Sequence, residues 1–292
     1  MSQHLSSATP RTTWPRRLRR MLITLAIAYV LWLVLLFLLQ RQLLFPRTIA
    51  NAHYAPPPSF IEKETLTADD GTTIDAFVLR QRGEGQSPAV VLLHGNAMLA
   101  NDWFEWATSL HDRGWTVVIP EFRGYGQSAG SPSRDALVAD TAMWLDALGS
   151  DPAIDHGRIA VYGRSIGGAI GAEAAAKASR PPAGLALQTT PDKLASFAWR
   201  YGAPPFLVRD PFDTSAAVAT LRRTGQDCSF LVIIHANDEI VPAAHSAAIT
   251  AAAAATPVVA KGTHNEYASP MDELTAEDAI ARWLDGVRMP RH

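Results

Sequence analysis

Residues 158–172 read RIAVYGRSIGGAIGA, and this stretch decides the fold class. Residues 159–162 are a short apolar run, typical of a strand buried inside a sheet. From Ile166 onward the residues are small, and we expect a helix. Gly163 and Gly167 flank Ser165 in a G-x-S-x-G pattern, which is common by chance but specific when a strand precedes it and a helix follows. The stretch therefore predicts a sharp strand-to-helix turn that presents the Ser165 hydroxyl at the carboxyl end of a sheet.

Short apolar runs and helical segments alternate on both sides of this turn. The predicted strands are 89–93, 116–119, 158–162, 185–188, 230–234 and 257–260, and the predicted helices are 103–111, 135–148, 166–178, 241–254 and 275–284. Before them, 60–66 and 72–79 flank Asp69-Asp70-Gly71, a hairpin signal. The expected fold is α/β, a mostly parallel sheet with helices on both faces and an antiparallel hairpin at one edge.

One segment of the expected domain, 60–292, departs from this alternation. Residues 191–226 contain no clean strand and carry several aromatic side chains and prolines. Long irregular segments in compact domains are often functional. We expect either a small cap or lid-like excursion over the site or an ordinary helical excursion that covers the end of the sheet.

The N-terminal part of the chain predicts membrane attachment. Residues 1–20 form a basic tail with five arginines and no acid, and residues 21–39 carry no charge. A helix of that apolar length spans roughly 28 Å, close to the hydrocarbon core of a bilayer. We expect a transmembrane signal anchor at 21–40 and a linker at 41–59 that contains the proline run 56–58. A cleaved signal peptide is the alternative, but no small-residue cleavage site follows the apolar run.

The arginine excess before the apolar run predicts a cytoplasmic N-terminus. The domain that follows the apolar run would then lie outside the cytoplasmic membrane. Arg41 and Arg47 follow the run and reduce this charge asymmetry.

Composition excludes several classes of protein. The 292 residues have a formal net charge of −2, so we expect no nucleic-acid partner. The single cysteine, Cys228, excludes an internal disulfide and a zinc site built on several cysteines. The sequence contains no H-E-x-x-H motif, and we expect neither a metal nor a cofactor.

A serine hydroxyl needs a base, and the base needs an acid that orients it. In this kind of turn the chain order is serine, acid, histidine. Asp238 follows the strand 230–234 and is the expected acid, while its neighbour Glu239 is expected to point elsewhere. His264 follows the last strand and is the expected base, because His245 would lie within a helix.

Acyl transfer also needs two backbone N–H donors for the oxyanion. The residue after the nucleophile, Ile166, is the first expected donor. The loop after strand 89–93 supplies the second, for which we choose Asn96, with Ala97 next. His94 in the same loop is expected to be a structural histidine of the turn.

These landmarks resemble an α/β-hydrolase, similar to the membrane-anchored "α/β-hydrolase domain-containing" serine hydrolases. The matching motifs lie between about residues 60 and 285 and read HGNA at 94–97, RGYGQSAG at 123–130, GRSIG at 163–167, FD at 212–213, DEIVP at 238–242 and GTHN at 262–265. Glu121 departs from the aspartate common in relatives, and we expect no catalytic consequence. The resemblance implies the fold and the Ser165–His264–Asp238 triad, but it says little about substrate.

The expected activity is hydrolysis of carboxylic esters or thioesters, such as acyl or lipid-like small molecules, because an anchor would place the site near acyl lipids. A peptidase and a catalytically idle binding module are the alternatives. The glycines at 124, 126 and 130 mimic a dinucleotide fingerprint, but their spacing is wrong for G-x-G-x-x-G. Displacement chemistry of the haloalkane type would need an aspartate at position 165.

Overall fold

The computed structural model describes residues 15–83, 85–224 and 227–288. Most of the predicted basic tail, the end of the predicted cap at 225–226 and the last four residues lie outside the described residues. The chain forms two compact units, Met1–Gln40 and Arg41–His292. Helix α1, Arg16–Leu44, supplies the described part of the first unit and ends just inside the second.

The second unit is built on one eight-stranded sheet in the order β1-β2-β4-β3-β5-β6-β7-β8. The strands are β1 Glu62–Thr67, β2 Thr73–Leu79, β3 Ser87–Leu93, β4 Thr116–Pro120, β5 Ile154–Arg164, β6 Gly184–Gln188, β7 Ser229–His235 and β8 Val258–Ala260. β2 pairs antiparallel with β1 and β4, and all other pairs are parallel. The predicted hairpin and the mostly parallel sheet are therefore confirmed.

Helices cover both faces of the sheet, because alternate side chains of the buried strands point to opposite sides. The remaining helices are α2 Arg47–Asn51, α3 Phe104–Asp112, α4 Arg134–Ser150, α5 Ile166–Lys177, α6 Thr214–Arg223, α7 Ala243–Ala253 and α8 Pro270–Arg288. Val91 and Leu93 of β3 pack in the core on the side of α4, α5 and α6, whereas Val90 and Leu92 pack on the side of α3 and α8.

Two helix boundaries illustrate local control by capping. Ser133 precedes α4, and its side chain accepts a hydrogen bond from the Ala136 N–H at 3.4 Å. α8 begins at Pro270, earlier than expected at Thr275. Proline suits a first helical turn because its missing N–H is unpaired there in any case.

The predicted excursion, 191–226, consists of an irregular part followed by a regular helix. Two 3₁₀ turns, Leu194–Tyr201 and Pro205–Leu207, form its irregular part. From Thr214 the chain is the regular helix α6, in which Val218 and Leu221 are fully buried against the core. The spacing of these apolar residues places them on one helical face, so the second half of the excursion is a covering helix of the fold.

The predicted linker 41–59 is shorter than expected, because its first half belongs to the domain. Phe45 and Ala50 are buried in the core. Arg41 forms a bidentate pair with the buried Asp210 at 2.9 and 3.2 Å. The Asn51 side chain accepts a hydrogen bond from the Gly126 N–H at 2.8 Å. Only residues 54–58 read as an irregular spacer.

Candidate active site

Ser165 occupies the turn between β5 and α5 with φ 55° and ψ −125°. A non-glycine residue in this region is strained, and such strain clusters at functional sites. The Ser165 N–H donates to the Gln188 carbonyl at 2.8 Å, which ties the turn to the end of β6. The hydroxyl is thereby held at the carboxyl edge of the sheet, where the sequence places it.

Glycine is needed at position 167 because α5 begins against the end of β3. A Cβ there would lie 2.3 Å from the Leu93 carbonyl oxygen and 2.4 Å from that of His94. Both neighbours are backbone atoms, which cannot swing away as a side chain can. The second flanking glycine of the motif therefore permits the sharp turn.

Asp238 lies in the loop between β7 and α7, and its carboxylate is almost fully buried. One oxygen accepts the N–H groups of Ile240 at 2.9 Å and Val241 at 2.7 Å. Burial alone would raise the pKa of Asp238, but the hydrogen bonds from His264 and from these N–H groups outweigh it and hold the pKa below its usual value. Asp238 is therefore an anion at neutral pH.

His264 lies between the other two side chains in the loop after β8. Its Nδ1 is 2.8 Å from Asp238 Oδ2, and its Nε2 is 3.0 Å from Ser165 Oγ. Because a carboxylate only accepts, Nδ1 carries the proton and Nε2 presents a lone pair to the serine hydroxyl. The structure thus brings together the three side chains that the sequence selects.

The two expected oxyanion donors lie on adjoining segments. Ile166 is the first residue of α5, where the backbone N–H groups of a helix are unpaired. Gly95, next to Asn96, lies beside the nucleophile, since a Cβ on Gly95 would be 3.9 Å from Ser165 Cβ. The Asn96 carbonyl accepts the Tyr125 hydroxyl at 2.7 Å, which holds this loop in place.

Two other histidines have structural partners. His94 is fully buried, with Nδ1 2.8 Å from the Gly95 carbonyl and Nε2 3.1 Å from Glu121. Glu121 also accepts the Ala100 N–H at 3.3 Å, consistent with a structural role for this departure from the family pattern. His245 lies in α7, as expected, and its Nδ1 bonds to Asp192.

The prediction for Glu239 is wrong. Its carboxylate is directed at the base loop and accepts the His264 N–H at 3.3 Å. The sequence gives no sign of this contact, because the two residues lie in separate loops that only the sheet order brings together.

The sequence analysis also missed Arg164, which occupies the first unspecified position of the G-x-S-x-G pattern. Its Nη2 donates to the carbonyls of His264 at 3.0 Å and Asn265 at 3.2 Å. A polar network lies beneath the triad and includes Tyr162, Gln188, His235 and Tyr267. In the sequence, the visible signal of this network is His235, a histidine three residues before the predicted acid.

The arrangement can activate a serine for attack on a carbonyl. A neutral imidazole accepts the hydroxyl proton, a buried anion stabilises the resulting imidazolium, and N–H groups at a helix start face the developing oxyanion. Within the described part of the chain, no group of three His, Cys, Asp or Glu residues is placed to hold a metal ion.

Comparisons with known proteins identify the family to which this fold belongs. A sequence profile of the alpha/beta hydrolase fold matches residues 88–220. The uncharacterized protein Rv2307c of Mycobacterium tuberculosis is 32% identical over 224 residues, which cover 75% of this chain and 77% of that protein. The alpha/beta hydrolase domain-containing protein WAV2 of Arabidopsis thaliana is 28% identical over 207 residues, which cover 65% of this chain and 66% of that protein.

Solved structures share the fold at low sequence identity. Acetyl xylan esterase 1 from Thermoanaerobacterium sp. JW/SL YS485 has a TM-score of 0.59 at 17% identity, covering 81% of this chain and 86% of that one. A puromycin-hydrolyzing peptidase of Mycobacterium tuberculosis has a TM-score of 0.58 at 17% identity, covering 81% of this chain and 41% of that one. The profile match and the sequence relatives show that the chain belongs to the α/β-hydrolase superfamily, and the solved structures share its fold.

Proposed function

We propose that the chain is a serine hydrolase that cleaves carboxylic esters or thioesters through an acyl-enzyme. The observation that carries the proposal is the hydrogen-bond chain from Ser165 Oγ through His264 to Asp238, with distances of 3.0 and 2.8 Å. This chemistry requires a serine held in place, a base with a free lone pair and a buried anion, joined by hydrogen bonds.

In the first half of the reaction, Ser165 Oγ attacks the substrate carbonyl while His264 Nε2 takes the hydroxyl proton. The tetrahedral oxyanion accepts hydrogen bonds from the backbone N–H groups of Ile166 and Asn96. As the intermediate collapses, the bond to the alcohol or thiol breaks, and His264 returns its proton to that leaving group. The products are an acyl-serine and a free alcohol or thiol.

In the second half, water attacks the acyl-serine and His264 takes one of its protons. Collapse of the second oxyanion releases a carboxylic acid and returns the proton to Ser165. Asp238 remains an anion throughout and stabilises each imidazolium.

Apolar acyl or lipid-like substrates are favoured by the segment that follows β6. It begins beside the nucleophile turn, since a Cβ on Gly168 would clash with Thr190. Arg200 of the same segment donates to the Ile240 carbonyl at 3.0 Å, close to the acid. Trp199 and Phe206 of this segment are exposed, with 65% and 83% of their surface accessible, and offer apolar surface that an acyl chain could contact.

Helix α1 supports attachment to a lipid bilayer through residues 21–40. Its length and composition suit a membrane span, and a signal sequence near an N-terminus has the same properties. We propose a single-pass protein of the cytoplasmic membrane with its N-terminus in the cytoplasm and the hydrolase domain outside. The charge difference across the apolar run supports this orientation.

The decisive experiment is active-site labelling with a fluorophosphonate, followed by a panel of p-nitrophenyl esters of graded chain length. The wild-type chain should be labelled at Ser165, and Ser165→Ala should lose labelling and hydrolysis, by roughly 10⁶ in kcat, while remaining folded. Normal turnover by Ser165→Ala would overturn the proposal.

A peptidase is the second candidate, since a puromycin-hydrolyzing peptidase is among the structural neighbours. Matched ester and aminoacyl-amide substrates separate the two activities, because both would use the same triad. A wild-type chain that is folded but neither labelled nor active would instead be a binding module.

A further inference from the structure

The loop that carries His264 has no regular secondary structure, yet its backbone is held on several sides. Residues 261–269 lie between β8 and α8 as bends and one isolated bridge, between Gly262 and Tyr267. The Gly262 carbonyl accepts the Asn237 N–H at 3.0 Å, and the next three carbonyls are bonded to side chains. Bonds within the loop also contribute, from the Thr263 N–H to the Glu266 carbonyl and from the Ala268 N–H to the Lys261 carbonyl, both at 2.8 Å. The position of the base therefore depends on groups outside the segment as well as on the loop itself.

Arg164 holds the loop from the side of the nucleophile. One nitrogen, Nη2, donates to the carbonyls of both His264 and Asn265. Arg164 precedes Ser165 by a single peptide bond, so the guanidinium links the backbone of the nucleophile directly to the backbone of the base. Hydrogen bonds from a cation to a carbonyl are stronger than neutral ones.

His235 holds the loop from the side of the acid. It ends β7, three residues before Asp238, and its Nδ1 lies 2.6 Å from the Thr263 carbonyl. Because a carbonyl only accepts, Nδ1 carries the proton, and Nε2 is a lone pair that faces Gln188 Nε2 at 2.9 Å.

The network behind His235 is consistent with this single tautomer. The Gln188 amide nitrogen also donates to the Tyr267 hydroxyl at 2.7 Å, and its oxygen accepts the Tyr162 hydroxyl. Burial lowers the pKa of His235, and the nearby Arg164 acts in the same direction. His235 is therefore neutral at neutral pH, and its single proton lies on Nδ1, from which it is donated to the Thr263 carbonyl.

We propose that Arg164 and His235 are positioning residues that fix the base loop against the nucleophile and the acid. This inference rests on the proposed hydrolase function. Both residues act through backbone carbonyls and neither touches the reacting atoms. A displacement of about 1 Å at a catalytic group can cost on the order of 100-fold in rate, so loss of either contact should reach the chemistry.

The test compares Arg164→Met with Arg180→Met in the full chain in detergent. Arg180 also donates to a backbone carbonyl, that of Gly149 at 3.4 Å, but lies away from the triad, which makes it a matched control. Arg164→Met should lower kcat for a short ester by about 100-fold with KM nearly unchanged. Arg180→Met should keep both values.

His235→Asn and His235→Leu form the second pair. Asparagine retains an N–H donor near the position of Nδ1, whereas leucine removes it, so asparagine should restore most of the kcat that leucine loses. His111 bonds to the Arg80 carbonyl at 3.2 Å outside the site, and His111→Leu serves as the control. A purely structural role for His235 would instead lower kcat in proportion to the unfolded fraction.

Hydrogen–deuterium exchange of the peptide that covers residues 261–268 supplies a readout independent of activity. Arg164→Met should speed exchange in this loop and Arg180→Met should not. Unchanged exchange, or a kcat within threefold of the wild type, would overturn the positioning role. A wild-type chain without labelling or turnover would overturn the hydrolase function, while the exchange data would still decide whether the residues hold the loop.

Discussion

At the scale of single residues, the site combines strain with dense hydrogen bonding. Ser165 adopts a left-handed conformation that costs of order 1–3 kcal/mol. It persists because its N–H is fixed by β6 and because the glycines around it let α5 approach β3. In this conformation the Ser165 hydroxyl points toward His264.

Asp238→Asn should leave the fold intact and lower kcat by up to about 10⁴, because an amide can hold the imidazole in the wrong tautomer. Steady-state kinetics on a short ester, with circular dichroism as the check on folding, measures this. An unchanged rate would point to another acid, and Glu239, which already contacts the base loop, would be tested first.

The same carboxylate contributes to acid stability. Since the folded pKa of Asp238 is depressed, its contribution is present above the unfolded value of about 3.9 and is lost as the pH falls through the folded pKa. Stability of the wild type should therefore fall more steeply than that of Asp238→Asn as the pH drops below about 4. Urea midpoints measured across this range test it, and parallel curves would contradict it.

Gly167→Ala should be strongly destabilising, because the added methyl group meets two backbone carbonyls. Gly149→Ala is the matched control: Gly149 lies in α4, a Cβ there meets no atom within 4 Å, and alanine should stabilise the helix by up to about 1 kcal/mol. Thermal unfolding midpoints measure both changes. Equal stability of the two variants would show that the turn tolerates a side chain.

At the scale of elements, the segment after α1 is part of the domain and not a free tether. Phe45 and Ala50 fill the core, and Arg41 neutralises the buried Asp210, which also accepts the Arg134 N–H at 2.8 Å. The end of α1 is thereby connected to the start of α4 and to the segment before α6.

Deletion of residues 1–40 should give a folded and active domain, because every contact just named is retained. Deletion of residues 1–52 should lower stability by at least about 3 kcal/mol, since removal of the Phe45 side chain alone costs that much in a typical core. Denaturant midpoints and turnover of a short soluble ester compare the two truncations. Similar midpoints would show that residues 41–52 contribute little to the stability of the domain.

At the scale of the whole molecule, the proposed orientation across the membrane rests on the distribution of charge. Five arginines and no acid precede the apolar run, and moving them across a bilayer is disfavoured. A reporter fused after the last residue and active only outside the cytoplasm should therefore be active. Protease added to intact spheroplasts should digest the domain.

Moving the five arginines behind Leu39 provides the control and should weaken or invert the orientation. Complete protection of the wild-type domain in spheroplasts, with digestion only after lysis, would reverse the proposed topology.

The sequence by itself determined the alternation of strands and helices, the hairpin edge, the nucleophile turn and the long apolar helix. These features depend on local patterns, namely hydrophobic period, turn residues and the strict spacing around Ser165. The chain order of serine, acid and histidine, together with the ends of the predicted strands, selected Asp238 and His264 as the expected partners.

Only the tertiary structure decided the contacts that cross between elements. Arg164, His235 and Glu239 meet the base loop because β5, β7 and β8 end at the same edge of the sheet, although their residues are far apart in the chain. Phe45 is likewise a core residue only because the segment that contains it packs against the rest of the domain. Side-chain contacts of this kind carry no periodic signal, so packing of the whole domain is needed to reveal them.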